Sequence, residues 1–550
     1  MSRGTRGLLL AITAVAAVLR LGWPGQSPPG LNQDEAIGAW ISWCLLKTGR
    51  DMTGQPWPIF YAHGIGDFPS TLFFYTTLPF QALGGLNVLT TRLPAQLAGI
   101  ACVPLIYWVG ARLFGPGTGL IAAAMLALNP WHLFLSRFGV GASQCPLHAL
   151  AVIALMLKAG LPLADPPPRA SAPRVDVRWA AVAGLASGVF CYGFHPMRLY
   201  VPSLFILLAL FLAPQWASFL KTPAGRRATL AFTVGFAVTF GPLAWRHMVD
   251  RQIAHRWEMT RLWPAGAPPA TILALVARRW AEHFHPDFLF ARGDLFEIMK
   301  PIGQGEFGWY LLPLMIVGLG LTLVRFRTRV AARVLLALLI VYPAGDVISR
   351  YMSVHSLRSA PGVATLVLLG AWGAAATGDW IRRRQPSVLR WATAALVVAA
   401  LFFDGRHAVR FFGEWNRRPL IYHAYHADLL QVARWLAPKL PEVDAVFCTV
   451  NGLNQPWSVM VVGTEHDPHL WLAEPRDRRE LEYDVYVRYG KVYFMYGDTW
   501  LPYLESITND HEPQRVLFVV RPGELGLTEP LYVVRGPDGR DALWVVGRVL

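Results

Sequence analysis

Charge is scarce in this chain. Of its 550 residues 15% are Asp, Glu, Lys or Arg, against 54% hydrophobic ones, and the mean hydropathy is +0.35. That balance excludes an ordinary soluble globular protein, in which about a quarter of residues are charged. Cysteine is scarce as well: Cys44, Cys102, Cys145, Cys191 and Cys448 are an odd number at wide spacing. They form neither a zinc-ligand pattern nor a disulfide framework, and read as buried thiols. No internal repeat is present, and the polar C-terminal part has no glycine fingerprint for a nucleotide.

Apolar sequence is abundant. Runs long enough to cross a bilayer recur from residue 7 to residue 403, and from Asp404 onward the texture becomes that of soluble sequence. The expected division is a membrane domain over 1–403 and a small α/β domain over 404–550. The net charge is +15, but Arg and Lys gather in short loops between the apolar runs. That is the positive-inside pattern of a membrane protein, so membrane lipids are expected partners and nucleic acid is not.

Charge also counts the spans. Basic loops at 165–178, 221–227, 325–333 and 381–390, with Arg3 and Arg6 at the start, belong on the cytoplasmic side. Two apolar runs separate each successive pair of loops: 179–195 with 199–213, 229–247 with 309–324, and 334–348 with 360–377. Upstream of residue 165 the runs are 7–23, 71–86, 91–110, 118–135 and 146–163, and parity requires that one of them not span. The run 71–86, TLFFYTTLPFQALGGL, is short, holds Pro79 and ends in Gly-Gly, which suits a helix lying in the interface. With a last run near 391–403 the total is eleven. An odd total puts the N-terminus in the cytoplasm and the C-terminal domain outside, with 24–90 and 249–308. The first run lacks a small-residue cleavage site and reads as a retained span.

The first outer segment opens on PGQSPPGLNQDEAIGAW, with the adjacent carboxylates Asp34 and Glu35. One reading is a helix N-cap at Asp34, since Asp at a helix start accepts backbone N–H bonds. The other is a base held rigidly at the membrane surface, and the two are compatible. Other polar groups on the outer side are Asp67 in YAHGIGDFPS, His195 and Arg198 in FHPMRLY, and Arg350, His355 and Arg358 in ISRYMSVHSLR. Each arginine reads either as an interfacial anchor or as a fork for phosphate. EHFHPDFLFARGD clusters His283, His285, Asp287 and Asp294; a divalent ion is one reading of this unspecific pattern, and no cofactor is expected.

In the C-terminal part HADLLQVARWLAPKL patterns as an amphipathic helix and DAVFCTV as a buried strand. YDVYVRYGKVYFMYG and PLYVVRGPDGRDALWVV read as hairpins about Tyr-Gly-Lys and Pro-Asp-Gly. The aromatics of NQPWSV and YGDTWLPY read as core, with sugar stacking as the alternative.

Four stretches, taken in order, resemble bacterial membrane glycosyltransferases of family 39, in the C-type superfamily that uses lipid-phosphate sugars. This family includes protein O-mannosyltransferases and the aminoarabinose transferase of lipid A. The stretches are the Asp34-Glu35 pair, TGRDMTGQPWPIFY, TRLPAQLAGIACVPLIYWVGARLFG leading into ALNPWHLFLSRFG, and VHSLRSAPGVATLVLLGAWG. The resemblance covers residues 1–415 and rests on order and spacing, since no stretch is specific alone.

The resemblance implies a polytopic α-helical membrane protein of about 11 spans, with interfacial helices in the first outer loop. It implies transfer of a sugar from a polyprenyl-phosphate donor to a lipid, glycan or protein hydroxyl, outside a bacterial inner membrane. Such a transfer needs a base for the hydroxyl proton and cations for the departing phosphate. By resemblance Asp34 is the base and Glu35 its support. Arg198, Arg350, His355 and Arg358 are the phosphate ligands, and Asp67, His283, His285 and Asp287 lie in substrate loops. The chain departs from some relatives in having Phe68 where they carry Lys, and in having no acidic residue in GVGASQCP. The rival readings are a transporter, which would place ionisable groups at mid-membrane, and an inactive scaffold of the same fold.

Overall fold

Apolar helices fill most of the chain, as its composition demands. The computed structural model describes residues 1–550 except 24, 63, 65–68, 166–174, 251–257, 259, 301–302, 351–353, 481–483, 509–513 and 550. The described residues form two compact units, Met1–Gly22 with Ala95–Arg410, and Trp23–Pro94 with Phe411–Leu550. The expected break at 403/404 therefore differs from the observed grouping. Segment Trp23–Pro94 folds with the C-terminal part, and 403/404 falls within the π-helical turn Leu401–Gly405.

Every run expected to span is helical. Arg3–Leu21, Val88–Phe114, Gly141–Lys158, Pro223–Val249 and the stretch beginning at Pro386 are each long and apolar enough to cross a membrane, and Met197–Phe211 with Ala213–Leu220, bent by 81°, makes a sixth. Pro116–Leu128, Val177–Phe190, Leu311–Val324 and Val330–Gly345 are shorter apolar helices, and Gly362–Arg384 is a long one ending in Arg382, Arg383 and Arg384. The run excluded by parity is the 13-residue helix Leu72–Gly84, with Pro79 inside it. Small residues let the spans approach closely. A Cβ on Gly184 would strike the Phe232 carbonyl of helix Pro223–Val249, and one on Gly373 would strike the Leu314 carbonyl. Packing of this kind holds helices together where lipid removes the hydrophobic drive.

The second unit carries a seven-stranded sheet. Its strands are β1 Ala445–Cys448, β2 Arg476–Glu480, β3 Asp484–Tyr489, β4 Val492–Phe494, β5 Arg515–Val520, β6 Tyr532–Arg535 and β7 Asp541–Val549. The order is β2-β3-β4-β1-β5-β7-β6, with β1 parallel to β4 and β5 and the remaining pairs antiparallel. Every residue of β1 is buried, as a central strand covered on both faces requires. Both expected hairpins form, β3 with β4 and β6 with β7. Phe447, Tyr493 and Phe518 form an aromatic cluster against which Trp500 and Tyr503 pack, and Trp457 is fully buried. These aromatics belong to the core.

Candidate active site

The acidic pair stands at the start of helix Gln33–Thr48, and Asp34 is not its N-cap. Asn32 is the N-cap: its side chain accepts from the Asp34 N–H at 3.1 Å, and the Glu35 carboxylate accepts from the Asn32 N–H at 3.2 Å. This is a capping box, with Glu35 in its third position. The cap expected at Asp34 is thus shifted by two residues. Asn32 fills the role because its side chain precedes the first helical turn, where the unpaired N–H groups lie.

Glu35 is fully buried and meets Arg92 through two parallel bonds, Nε to Oε1 and Nη2 to Oε2, each 2.7 Å. The other guanidinium N–H groups donate to the carbonyls of Pro28 at 2.7 Å and Gly30 at 2.9 Å. Both oxygens of Glu35 are engaged, and the arginine fastens the Pro-rich turn to the helix start. Asp34, one residue earlier, is exposed. The helix itself is anchored further along. Trp40 is fully buried and lies edge-on to Trp471 at 5.4 Å, and Trp471 donates from Nε1 to the Met52 carbonyl at 2.8 Å.

In the other unit two of the expected phosphate ligands, His355 and Arg358, and His283 lie around a carboxylate that sequence reading did not single out. Asp346 is fully buried; its Oδ2 lies 3.3 Å from His283 Nε2 and accepts from the His355 N–H at 3.2 Å. Its Oδ1 lies 4.0 Å from Arg358 Nη1. A Cβ on Gly345 would strike Pro196, so the turn leading to Asp346 lies against the turn that carries Arg198. Asp346 stands at the end of an apolar run, in VYPAGDVISR, and the only signal for it was its place four residues before Arg350.

The neighbours of this carboxylate are fixed by their own bonds. His283 is fully buried, with Nδ1 on the Arg279 carbonyl at 2.8 Å and Nε2 on Ser359 Oγ at 3.0 Å. Ser359 Oγ also donates to the His355 carbonyl at 3.0 Å. His355 Nδ1 lies 3.3 Å from the Leu357 N and 3.4 Å from Asp294 Oδ2. Burial pushes the His355 ring below the usual histidine value; Asp294 opposes this, Arg358 adds to it, and Asp346 opposes it again. Asp294 is fully buried and accepts from the Phe296 and Ser356 N–H groups at 2.9 and 2.8 Å. Beside it, burial and then the Asp294 charge push the Glu306 carboxyl well above the usual carboxylate range.

The remaining expected site residues lie apart from that carboxylate. Arg198 meets His247 at 2.6 Å between Nη1 and Nε2. Arg350 is exposed, and its N–H donates to the Thr260 carbonyl at 2.6 Å. His285 and Asp287 line a cavity of about 180 Å³ with Glu282, Phe288, Gly293, Leu295 and Val354. Asp287 is held by Arg292, whose Nε lies 2.7 Å from Oδ1 and whose Nη2 lies 2.5 Å from Oδ2, and that pairing holds its carboxyl below the usual range. His283 is turned away into the core, so the His-x-His pattern is divided. Among the described residues no three of His, Cys, Asp and Glu are placed to hold a metal ion. Asp67 and Phe68 lie outside the described residues.

No protein-family model matches the chain, and no curated protein matches it by sequence. Solved structures do. ArnT from Cupriavidus metallidurans bound to undecaprenyl phosphate superposes with a TM-score of 0.52 at 15% identity, over 99% of this chain and 98% of that one. The apo state of the same protein gives 0.51 at 17% identity. AglB, the archaeal oligosaccharyltransferase from Archaeoglobus fulgidus, in complex with an inhibitory peptide and a dolichol-phosphate, gives 0.50 at 13% identity over 84% of this chain and 64% of that one. ArnT and AglB are C-type glycosyltransferases. With its long apolar helices and small C-terminal sheet, this chain is a membrane protein with the C-type glycosyltransferase fold.

Proposed function

We propose that the protein is a membrane glycosyltransferase that moves a hexosyl or pentosyl group from a polyprenyl-phosphate donor to a hydroxyl of a lipid, glycan or protein. The reaction would take place on the outer face of a bacterial inner membrane, with the N-terminus cytoplasmic and the C-terminal domain outside. The observation that carries this reading is the contrast within the acidic pair. Asn32 supplies the cap and Arg92 binds both oxygens of Glu35, while Asp34 is exposed at the same helix start.

In this reading Asp34 accepts the proton of the acceptor hydroxyl as its oxygen attacks C1 of the sugar. The bond from C1 to the phosphate oxygen breaks, and the electron pair leaves with the polyprenyl phosphate. Arg358, Arg198 and Arg350 offer cations to that phosphate, and His355 offers a ring N–H. Asp346 and Asp294 set the positions of Arg358 and His355. His285 and Asp287, at the cavity, are assigned to the substrate. Support comes from the fold, and from the undecaprenyl phosphate and dolichol-phosphate found on two proteins that share it.

The test is Asp34→Asn in purified protein supplied with lipid-linked sugar. Loss of transfer supports the base, and normal turnover removes it.

A further inference from the structure

The C-terminal domain has no role in the reading above, yet one of its residues touches the turn that carries Asp34. His426 is 1% exposed and precedes helix Ala427–Leu436 with a left-handed backbone, φ 46°. Its Nδ1 lies 3.3 Å from the Leu31 carbonyl, and its Nε2 accepts from the Asn454 N–H at 3.2 Å. A carbonyl only accepts and an amide only donates, so the bonds fix the tautomer: the proton is on Nδ1 and the ring is neutral. The ring is a strut between the acidic turn and the loop that follows β1.

The contact is reinforced on both sides. Asn32, the cap of the acidic helix, donates from Nδ2 to the Ala424 carbonyl at 3.3 Å. Gly30 has φ +60°, and a Cβ there would strike the Tyr425 carbonyl and lie 2.7 Å from the Ala427 Cα. The two backbones touch at this point, and only glycine fits. The strut is held from behind by Asp428, which accepts from His423 Nδ1 at 2.8 Å and Arg521 Nη1 at 3.0 Å.

We propose that His426 is a positioning residue for Asp34. Acting through Leu31 and the Asn32 cap, it fixes where the Asp34 carboxylate stands, and the C-terminal domain is the template that holds the acidic turn in its working form. This rests on the reading of Asp34 as the base. The strut is also sensitive to acid. A second proton would set an N–H on Nε2 against the Asn454 N–H and break the bridge. The charged groups facing the ring are Asp428, which favours that proton, and Arg521, which opposes it.

The test uses the full-length protein in detergent and measures hydrogen–deuterium exchange at the amides of Leu31 to Ala36. His426→Gly keeps the left-handed backbone and removes the ring; exchange should quicken about tenfold or more while the sheet amides hold their protection. His426→Asn tolerates the same backbone and reaches one partner at most, so it should lie between, and it serves if the glycine variant does not fold. In wild type the turn should loosen beyond the ordinary chemical trend as pH falls below about 6.5, and in His426→Asn it should not. Unchanged exchange in both variants overturns the strut and leaves the proposed function untouched. Quickened exchange with full product formation in a strain lacking its own copy overturns the positioning role. Quickened exchange with reduced product supports it. Loss of function in Asp34→Asn tests the base separately.

Discussion

Asp34 and Glu35 are neighbours in sequence with opposite surroundings, and their substitutions should separate cleanly. Asp34→Asn removes an exposed carboxylate from a helix capped by Asn32. Transfer should fall by roughly 100- to 10,000-fold, the usual worth of a general base, with no change in the thermal midpoint. Glu35→Gln breaks a buried two-bond pair and leaves the Arg92 guanidinium without its counter-charge. Breaking such a pair costs about 3–5 kcal/mol, so this variant should melt many degrees lower in a detergent thermal-shift assay. If Glu35→Gln were as stable as wild type, the pair would not be what holds the turn. The carboxylates were legible in sequence because two adjacent acids stand out in so apolar a chain. Arg92 was not: it is 57 residues away, and in TTRLP it reads as the flank of the next apolar run.

At the scale of elements, periodicity carried far. The exclusion of 71–86 as a span rested on Pro79, on length and on the even count that charge demands, and the segment is the 13-residue helix Leu72–Gly84. Both C-terminal hairpins were visible because Tyr-Gly-Lys and Pro-Asp-Gly punctuate alternating strands. The parallel pairing of β1 with β4 and β5 was not, because parallel partners lie far apart in sequence and no turn residue announces them. In the proposed function the turn 355–359 is the element assigned to the donor phosphate. Arg358 is partly exposed beside the buried Asp346. Arg358→Lys keeps the charge and loses the planar fork, so transfer should fall roughly ten- to a hundredfold, the worth of one charge-assisted hydrogen bond. Full activity in Arg358→Ala would reduce that residue to an interfacial anchor.

For the whole molecule, the composition announced a membrane protein, and the basic loops imply an odd number of crossings. The division into units was less legible. A linear reading breaks the chain at its change in texture, near 403, whereas segment 23–94 folds with 411–550. Contacts between segments hundreds of residues apart, such as Leu31 with His426, leave no local mark on either stretch. The odd count predicts that a reporter fused after Val549 is active only in the periplasm. Activity of a cytoplasmic reporter at that site would put Asp34 on the wrong face for the proposed reaction.

The central claim is that Asp34 drives transfer of a sugar from a polyprenyl-phosphate donor. It is tested most directly by mass spectrometry of envelope lipids, glycans and glycoproteins from a deletion strain, complemented with wild type or with Asp34→Asn at equal protein level. The account predicts that deletion abolishes one glycosylated product and raises a polyprenyl-phosphate-linked sugar, that wild type restores both, and that Asp34→Asn restores neither. Restoration by Asp34→Asn, or a deletion strain that loses no glycosylated product, would contradict it.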